Sequence, residues 1–297
     1  MTSSIATRAL VVGGTSGIGY AMACRVAASS PTASVIISGR TKPKDIPHIN
    51  IDFWPIEATS MREIKKLTDK FKQQQQTDIE QNKLDFLIMT QGIMTMAGRT
   101  ETSEGIDRKM ALHYYGKQLL IRELLPALKD DAKVVIVYDS KIGNPHKLIW
   151  DDLDLKTHFS LGNAANNCMV MNDIMIQYHA ARQQKQPQPA SSQTTAAKRH
   201  FIHAWPGGVN TGLMRELPWY LSGVAKVLAP LVTVSPDTCA EHLLNGVQMV
   251  STTRQDSNHW AYIDNKGKVI KDKALFSEEQ TGRVADHTWK LIDQALA

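Results

Sequence analysis

The sequence predicts an α/β protein with a doubly wound parallel sheet of about seven strands and helices on both faces. Short runs of β-branched and apolar residues alternate with longer stretches of helical period, which is the pattern of repeated βαβ units. A glycine-rich loop follows the first of these runs directly, at the place where such sheets bind their ligands. We therefore expect residues 1–297 to form a single domain.

Seven segments have the length and composition of buried strands. In chain order they cover residues 9–12, 34–38, 53–56, 84–89, 133–138, 200–204 and 260–263. Helical patterns occupy every gap between them, so both faces of the sheet should be covered. Residues 183–199 are rich in Gln, Pro, Ser and Thr, and we expect them to form a disordered surface insertion.

The composition excludes several classes of protein. With 34 Lys and Arg against 29 Asp and Glu, the net charge is only +5 and no basic run indicates a nucleic-acid partner. The cysteines Cys24, Cys168 and Cys239 lie far apart without a C-x-x-C pair, so neither a disulfide framework nor a metal site is expected. No segment is long and apolar enough for a signal peptide or a transmembrane helix. These features together predict a cytoplasmic protein.

The glycine-rich loop predicts a dinucleotide site. The glycines at positions 13, 17 and 19 allow a tight turn, a close approach of the main chain to a pyrophosphate, and close packing of the following helix on the strand. The helix start adds free N–H groups and the positive end of its dipole. In this Rossmann-type context we expect the phosphates to contact Gly13, Thr15, Ser16, Gly17, Ile18 and Gly19.

The end of the second predicted strand indicates which dinucleotide binds. A carboxylate there would bind the ribose 2′-hydroxyl of NAD, but residues 38–42 contain no acid. They contain Arg40, whose guanidinium can bind a 2′-phosphate through bidentate, charge-assisted hydrogen bonds. NADP(H) is therefore the predicted cofactor, and the alternative is that Arg40 only ends a strand in solvent.

The Gly-x-x-x-Gly-x-Gly spacing resembles that of the short-chain dehydrogenase/reductase family, in particular its retinol-dehydrogenase-like subgroup, and the likeness extends along nearly the whole chain. Glu57 falls where that family places an acid against the adenine ring, and Gly92 matches the glycine that passes under the cofactor. Residues 205–211 resemble the segment that brackets the nicotinamide, and residues 210–234 correspond to the variable substrate lid. The resemblance implies further cofactor contacts for Pro206, Gly207, Val209 and Thr211.

The resemblance fails at the catalytic residues. The family implies an Asn, a Ser and a Tyr-x-x-x-Lys pair on one helix, whose Lys lowers the pKa of the Tyr so that it can exchange a proton with the substrate. Here Ser140 retains the serine and His113 occupies the Asn position. Asn166 and Val170 occupy the Tyr and Lys positions, so the family's usual proton relay is excluded.

What remains of the predicted catalytic set is His113, Ser140 and Asn166. Because imidazole titrates near neutrality, His113 is the first candidate for an acid or base, and the alternative is a histidine that only packs in the core. Ser140 would donate a hydrogen bond to an oxyanion, while the Asn166 amide could orient a carbonyl but not transfer a proton. Tyr114 is a further candidate through its phenol.

Three functions stay open at this point. The cofactor motifs favour an atypical NADP(H)-dependent oxidoreductase, and the apolar lid favours a small hydrophobic metabolite with a carbonyl or alcohol group, as in specialised metabolism. Loss of the Tyr and Lys equally allows a non-redox isomerase or cyclase that uses the pocket, and a third reading is a catalytically silent NADP(H)-binding regulatory protein. A homo-oligomer is implied by the resemblance alone.

Overall fold

A computed structural model describes residues 7–75, 82–185, 198–212, 233–253 and 259–297 of the chain. Its strands are β1 (Arg8–Val12), β2 (Ser34–Gly39), β3 (Ile51–Pro55), β4 (Leu84–Met89), β5 (Leu128–Val137), β6 (His200–Ala204) and β7 (Trp260–Ile263). All seven pair in parallel in one sheet, in the order β3-β2-β1-β4-β5-β6-β7. The predicted seven-stranded parallel sheet is thus confirmed.

Helices cover both faces of this sheet. They are α1 (Gly17–Ala28), α2 (Met61–Gln75), α3 (Arg108–Met110), α4 (Gly116–Leu124), α5 (Leu161–Lys185), α6 (Pro236–Thr253) and α7 (Glu278–Leu296). Helices α1 and α6 pack together on one face, and α2, α4, α5 and α7 pack on the other. Among the described residues, no helix is long and apolar enough to cross a membrane.

Strand β1 illustrates why the predicted strands are continuous apolar runs. Successive side chains of a strand point to opposite faces. Leu10 and Val12 therefore lie in the core under α2, α4, α5 and α7, whereas Ala9 and Val11 lie in the core under α1 and α6. All four are almost completely buried, because helices cover both faces of the strand.

Strand β5 begins at Leu128, earlier than the predicted start at residue 133. The added residues include Lys129, Asp130 and Asp131, which are too polar to be recognised as a strand from composition. They belong to the sheet through their main chain, since Leu128 pairs with Leu84 and the Asp130 carbonyl accepts the Lys198 N–H at 2.6 Å.

The predicted insertion over residues 183–199 differs from the structure at both ends. Helix α5 continues to Lys185, and its buried Gln183 donates a hydrogen bond to the Arg199 carbonyl at 3.0 Å. Residues 186–197 lie outside the described part of the chain. Most of the predicted lid, residues 213–232, also lies outside it.

Candidate active site

A cavity of about 570 Å³ opens at the carboxyl ends of the strands, where a doubly wound sheet binds its ligands. His113 lines it, and so do all the predicted cofactor residues except Val209. These cofactor residues are Gly13, Thr15, Ser16, Gly17, Ile18, Gly19, Arg40, Glu57, Gly92, Pro206, Gly207 and Thr211. The residues predicted to bind the cofactor therefore surround one cavity, with Val209 as the exception.

The loop after β1 contains a position, Gly13, at which any side chain would collide with a neighbouring segment of main chain. Gly13 has a φ of +82°, and a Cβ there would lie 2.6 Å from the main-chain nitrogen of Gln91. Ser16 precedes α1, but its side chain makes no capping hydrogen bond to the helix. The first N–H groups of α1 therefore face the cavity without a side-chain acceptor, as a phosphate-binding helix start requires.

Arg40 and Glu57, for which the sequence predicts contacts with the adenosine part of a cofactor, both line the cavity. The Arg40 side chain is exposed and makes no ion pair or hydrogen bond among the described residues, so its guanidinium is available to an anion. The Glu57 carboxylate accepts hydrogen bonds from the N–H and the hydroxyl of Thr59, at 3.1 and 2.8 Å. Those bonds hold the turn that leads into α2.

Gln91 is a polar residue of this cavity that the sequence did not single out as a binding group. Its side chain is only 7% exposed, yet neither amide atom has a hydrogen-bond partner among the described residues. A buried amide left in this state costs free energy, about 1–3 kcal/mol per unsatisfied group. The residues present thus fit a polar ligand that occupies the cavity beside Gly13.

Val209 does not line the cavity. Its side chain packs against the core between α1 and α6. Its main chain forms a parallel bridge with Val234, in which Asn210 N–H donates to the Val234 carbonyl at 3.1 Å. The role that the resemblance implies for Val209 is therefore structural in this geometry.

His113 lies in a π-helical turn, Ala111–Tyr115, that joins α3 to α4, and such turns are common at functional sites. Its Nε2 atom accepts a hydrogen bond from the Ile93 N–H at 3.0 Å, which assigns the ring proton to Nδ1. Burial, and secondly the charge of Lys117, lower the pKa of His113 to about 3. The imidazole is therefore neutral at pH 7, contrary to the expected titration near neutrality.

Two of the predicted catalytic side chains point away from the cavity. Ser140 is fully buried, and its hydroxyl donates to the Ile263 carbonyl at 3.2 Å. The Asn166 amide makes two hydrogen bonds to the main chain of Asn144, accepting at 2.9 Å and donating at 3.2 Å. Neither side chain is among the cavity-lining residues, so the expected oxyanion and carbonyl contacts are not made by this geometry.

Tyr114 is also turned away from the cavity, because its hydroxyl lies 2.6 Å from that of Thr288 on α7. The face of α5 that lines the cavity carries Leu161, Ala164 and Ala165 instead of a group that could transfer a proton. The resemblance places Asn166 at the position of the family's Tyr, but the residue of α5 that lines the cavity is its neighbour Ala165.

The structure adds Tyr138 and Lys117 to the site. Tyr138 follows β5 and lines the cavity, and its ring centroid lies 4.7 Å from that of His113. Lys117, on α4, is fully buried, and its Nζ atom donates to the Val137 carbonyl at 3.1 Å. Because alternate residues of a strand point to the same face, the sequence could have placed Tyr138 on the same face as Ile136. No feature of the sequence indicated that Lys117 lies beside Tyr138.

The described residues contain no group of three or more His, Cys, Asp or Glu side chains that could hold a metal ion.

Comparison with known proteins agrees with this geometry. Residues 7–147 match the family model described as short chain dehydrogenase. Oxidoreductase AN1596 of Emericella nidulans is 36% identical over 217 residues, which cover 69% of this chain and 59% of that protein. The polyprenol dehydrogenase of Homo sapiens is 28% identical over 248 residues, covering 77% of this chain and 68% of that protein. This chain thus spans less than two thirds of the length of the first relative.

A solved structure of a short-chain dehydrogenase/reductase from Burkholderia multivorans with bound NADP superimposes with a TM-score of 0.58. The sequences are 14% identical, and the match covers 90% of this chain and 100% of that chain. At this identity the likeness establishes the fold.

Proposed function

We infer that this chain is a member of the short-chain dehydrogenases/reductases, because residues 7–147 match the model of that family and the chain has the fold of the solved short-chain dehydrogenase/reductase structure. We propose that it is an NADP(H)-dependent oxidoreductase that interconverts a carbonyl and an alcohol on a small hydrophobic metabolite. The observation that carries the proposal is the nearly complete dinucleotide cradle, which ends at the unpaired guanidinium of Arg40.

NADP(H) is proposed as the cofactor because the residues at each part of the cavity suit it. The loop from Gly13 to Gly19 and the start of α1 would hold the pyrophosphate, and Arg40 would hold the 2′-phosphate. When bound, the cofactor supplies or accepts a hydride. The NADP in the related Burkholderia multivorans structure supports the same choice.

The substrate is proposed to be hydrophobic because the rest of the cavity is largely apolar. Its apolar lining comprises Ile93, Met94, Leu112, Leu161, Ala164, Ala165 and Trp205. The amine of Lys109 also lies there, but it is engaged by the Gly98 carbonyl and by Asp107. Likeness to the retinol-dehydrogenase-like subgroup and to a relative named polyprenol dehydrogenase supports long-chain alcohols or aldehydes as the first probes.

We assign His113 the role of a neutral hydrogen-bond donor. With Nε2 engaged by the Ile93 N–H, the proton on Nδ1 is the one that the ring can offer to a carbonyl oxygen. A neutral donor held rigidly in a buried site stabilises the negative charge that develops on that oxygen. In this role His113 polarises the substrate but does not lose its proton.

The proposal is tested by incubating the protein with NADPH and, separately, octanal, benzaldehyde and geranial. Both NADPH absorbance and product mass are followed. Aldehyde-dependent loss of NADPH with formation of the alcohol supports the oxidoreductase. A rearranged product of unchanged mass with NADPH intact would instead identify an isomerase or cyclase. NADPH binding without turnover of any probe would favour the regulatory function.

A further inference from the structure

The phenol of Tyr138, in the wall of the cavity, lies close to the amine of Lys117, which is buried and does not itself line the cavity. The Nζ atom of Lys117 lies 5.4 Å from the centroid of the Tyr138 ring. The same atom donates to the carbonyl of Val137, the residue that precedes Tyr138. The Tyr138 hydroxyl itself has no hydrogen-bond partner among the described residues, although the side chain lines the cavity.

A proton donor is required because reduction of a carbonyl leaves an alkoxide oxygen. The neutral His113 ring is a poor acid, and Ser140 and Asn166 are bonded away from the cavity. The Asp139 carboxylate holds the N–H groups of Lys141 and Ile142, at 2.9 and 3.1 Å. At the inner end of the cavity, the described side chain that remains free to donate a proton is that of Tyr138.

We propose that Tyr138 is the proton donor of this site in reduction and the proton acceptor in oxidation, and that Lys117 is its positioning residue. This inference rests on the proposed oxidoreductase function. In reduction, the carbonyl carbon accepts a hydride from NADPH and the carbonyl electron pair moves to oxygen. That oxygen takes the proton from Tyr138, whose O–H electron pair remains on the phenolate. A proton from solvent then restores the phenol.

The surroundings of Tyr138 suit a phenol that is neutral at rest. Burial raises the pKa of Tyr138 well above 10, with smaller contributions from Cys168 and Asp139. Its other titratable neighbours are His113, His203, whose ring stacks at a centroid distance of 6.4 Å, and Lys117. Burial lowers the pKa of Lys117 to about 7, so this amine carries its charge in part near neutral pH. The charged amine stabilises the phenolate that donation leaves behind.

The direct test is Tyr138→Phe, with Tyr114→Phe as the matched control. General acid catalysis contributes about 10²–10⁴-fold, so Tyr138→Phe should lower kcat for the best aldehyde probe by that factor and leave NADPH affinity unchanged. Tyr114 lies outside the cavity, so its variant should turn over normally. Turnover of Tyr138→Phe within about twofold of the unaltered protein would overturn the inference.

A spectroscopic readout tests the same residue without turnover. Oxidised nicotinamide is positively charged, so NADP⁺ bound beside Tyr138 should promote phenolate formation at alkaline pH, whereas NADPH should not. We expect an NADP⁺-dependent phenolate absorbance in the unaltered protein that Tyr138→Phe abolishes. If the unaltered protein binds NADP⁺ without this signal, Tyr138 is not beside the nicotinamide and the inference fails, whether or not the variants fold.

Lys117→Met separates the positioning role from a packing role. In the unaltered protein, kcat for reduction should fall as pH rises through about 7, where Lys117 loses its charge. In Lys117→Met, kcat should be lower and should no longer depend on pH in this range, while KM changes little. A pH profile that Lys117→Met leaves unaltered would remove Lys117 from the mechanism. If none of the aldehyde probes causes the unaltered protein to oxidise NADPH, the proposed oxidoreductase function itself fails.

Discussion

The Nδ1 atom of His203 lies 2.7 Å from the Oδ1 atom of Asp173, and both side chains are almost completely buried. The other carboxylate oxygen of Asp173 lies 2.8 Å from the Nζ atom of Lys273, whose side chain is also largely buried. One carboxylate therefore joins β6, α5 and the segment that precedes α7. A buried charge held in this way costs most when one partner is removed.

Asp173→Asn should lower the free energy of unfolding by about 3–5 kcal/mol, because the Lys273 amine loses the charge that compensates it and His203 loses the charged acceptor on its Nδ1 side. Urea denaturation followed by circular dichroism measures this change. Glu278→Gln is the control, because its ion pair with Lys185 is exposed to solvent and should contribute little to stability. Equal effects of the two substitutions would show that burial of the Asp173 pair does not matter.

Arg40→Ala should weaken NADPH binding by about 10–100-fold, the loss expected for hydrogen bonds to a charged phosphate, and should leave NADH binding nearly unchanged. Fluorescence titration with both cofactors measures this. Lys44→Ala is the control, since Lys44 is exposed in the same loop but does not line the cavity. A similar loss for both cofactors would indicate that Arg40 does not contact the 2′-phosphate.

Gly13→Ala should abolish most NADPH binding and destabilise the fold. The new Cβ would lie 2.6 Å from the main chain of Gln91, at a φ of +82° that itself costs an L-residue about 1–2 kcal/mol. Gly98→Ala is the matched control, because no atom lies within 4 Å of its Cβ position. Thermal denaturation with and without NADPH measures both effects, and NADPH stabilisation retained by Gly13→Ala would contradict the cradle geometry.

Lys117 should make the free energy of unfolding depend on pH between about 7 and 10.5. Its pKa of about 7 in the folded protein lies below the ordinary 10.5. Between these values the unfolded chain binds a proton that the folded chain does not, so stability rises with pH.

Lys117→Met should remove this rise. Relative to the unaltered protein, Lys117→Met should gain most stability below about pH 7, where the gain is on the order of 5 kcal/mol. From this gain about 1–3 kcal/mol is subtracted, because the Val137 carbonyl loses the hydrogen bond from Lys117. Urea unfolding at several pH values measures the slope. Parallel stability curves for the two proteins would show that Lys117 is not desolvated.

The strands and the phosphate loop could be predicted because each is encoded in consecutive residues. Residues 9–12 of β1, for example, are apolar at every position, and the glycines of the loop need only their neighbours to fix the turn. Polar residues at the start of β5 concealed that part of the strand, because its pairing with β4 uses main-chain hydrogen bonds and the ion pair between Lys129 and Asp85 instead of an apolar run.

The reacting end of the site could not be predicted in the same way. Tyr138 and Lys117 meet because β5 and α4 pack side by side, and His113 faces the cavity through a π-helical turn. Side-chain direction decides each of these contacts. Ser140 and Asn166 occupy the expected positions in the sequence, yet the segment after β5 and the helix α5 that carry them turn both side chains away from the cavity.

The bridge between Val209 and Val234 joins the two ends of the segment between these residues. The chain leaves the sheet and returns at adjacent residues, with Val234 N–H donating to the Gly208 carbonyl at 3.0 Å. Doubling the length of chain between two such fixed ends costs only about 0.6 kcal/mol in closure entropy. The predicted cofactor residues that line the cavity all lie outside 213–232, so a chimaera that takes residues 213–232 from a related protein should still bind NADPH.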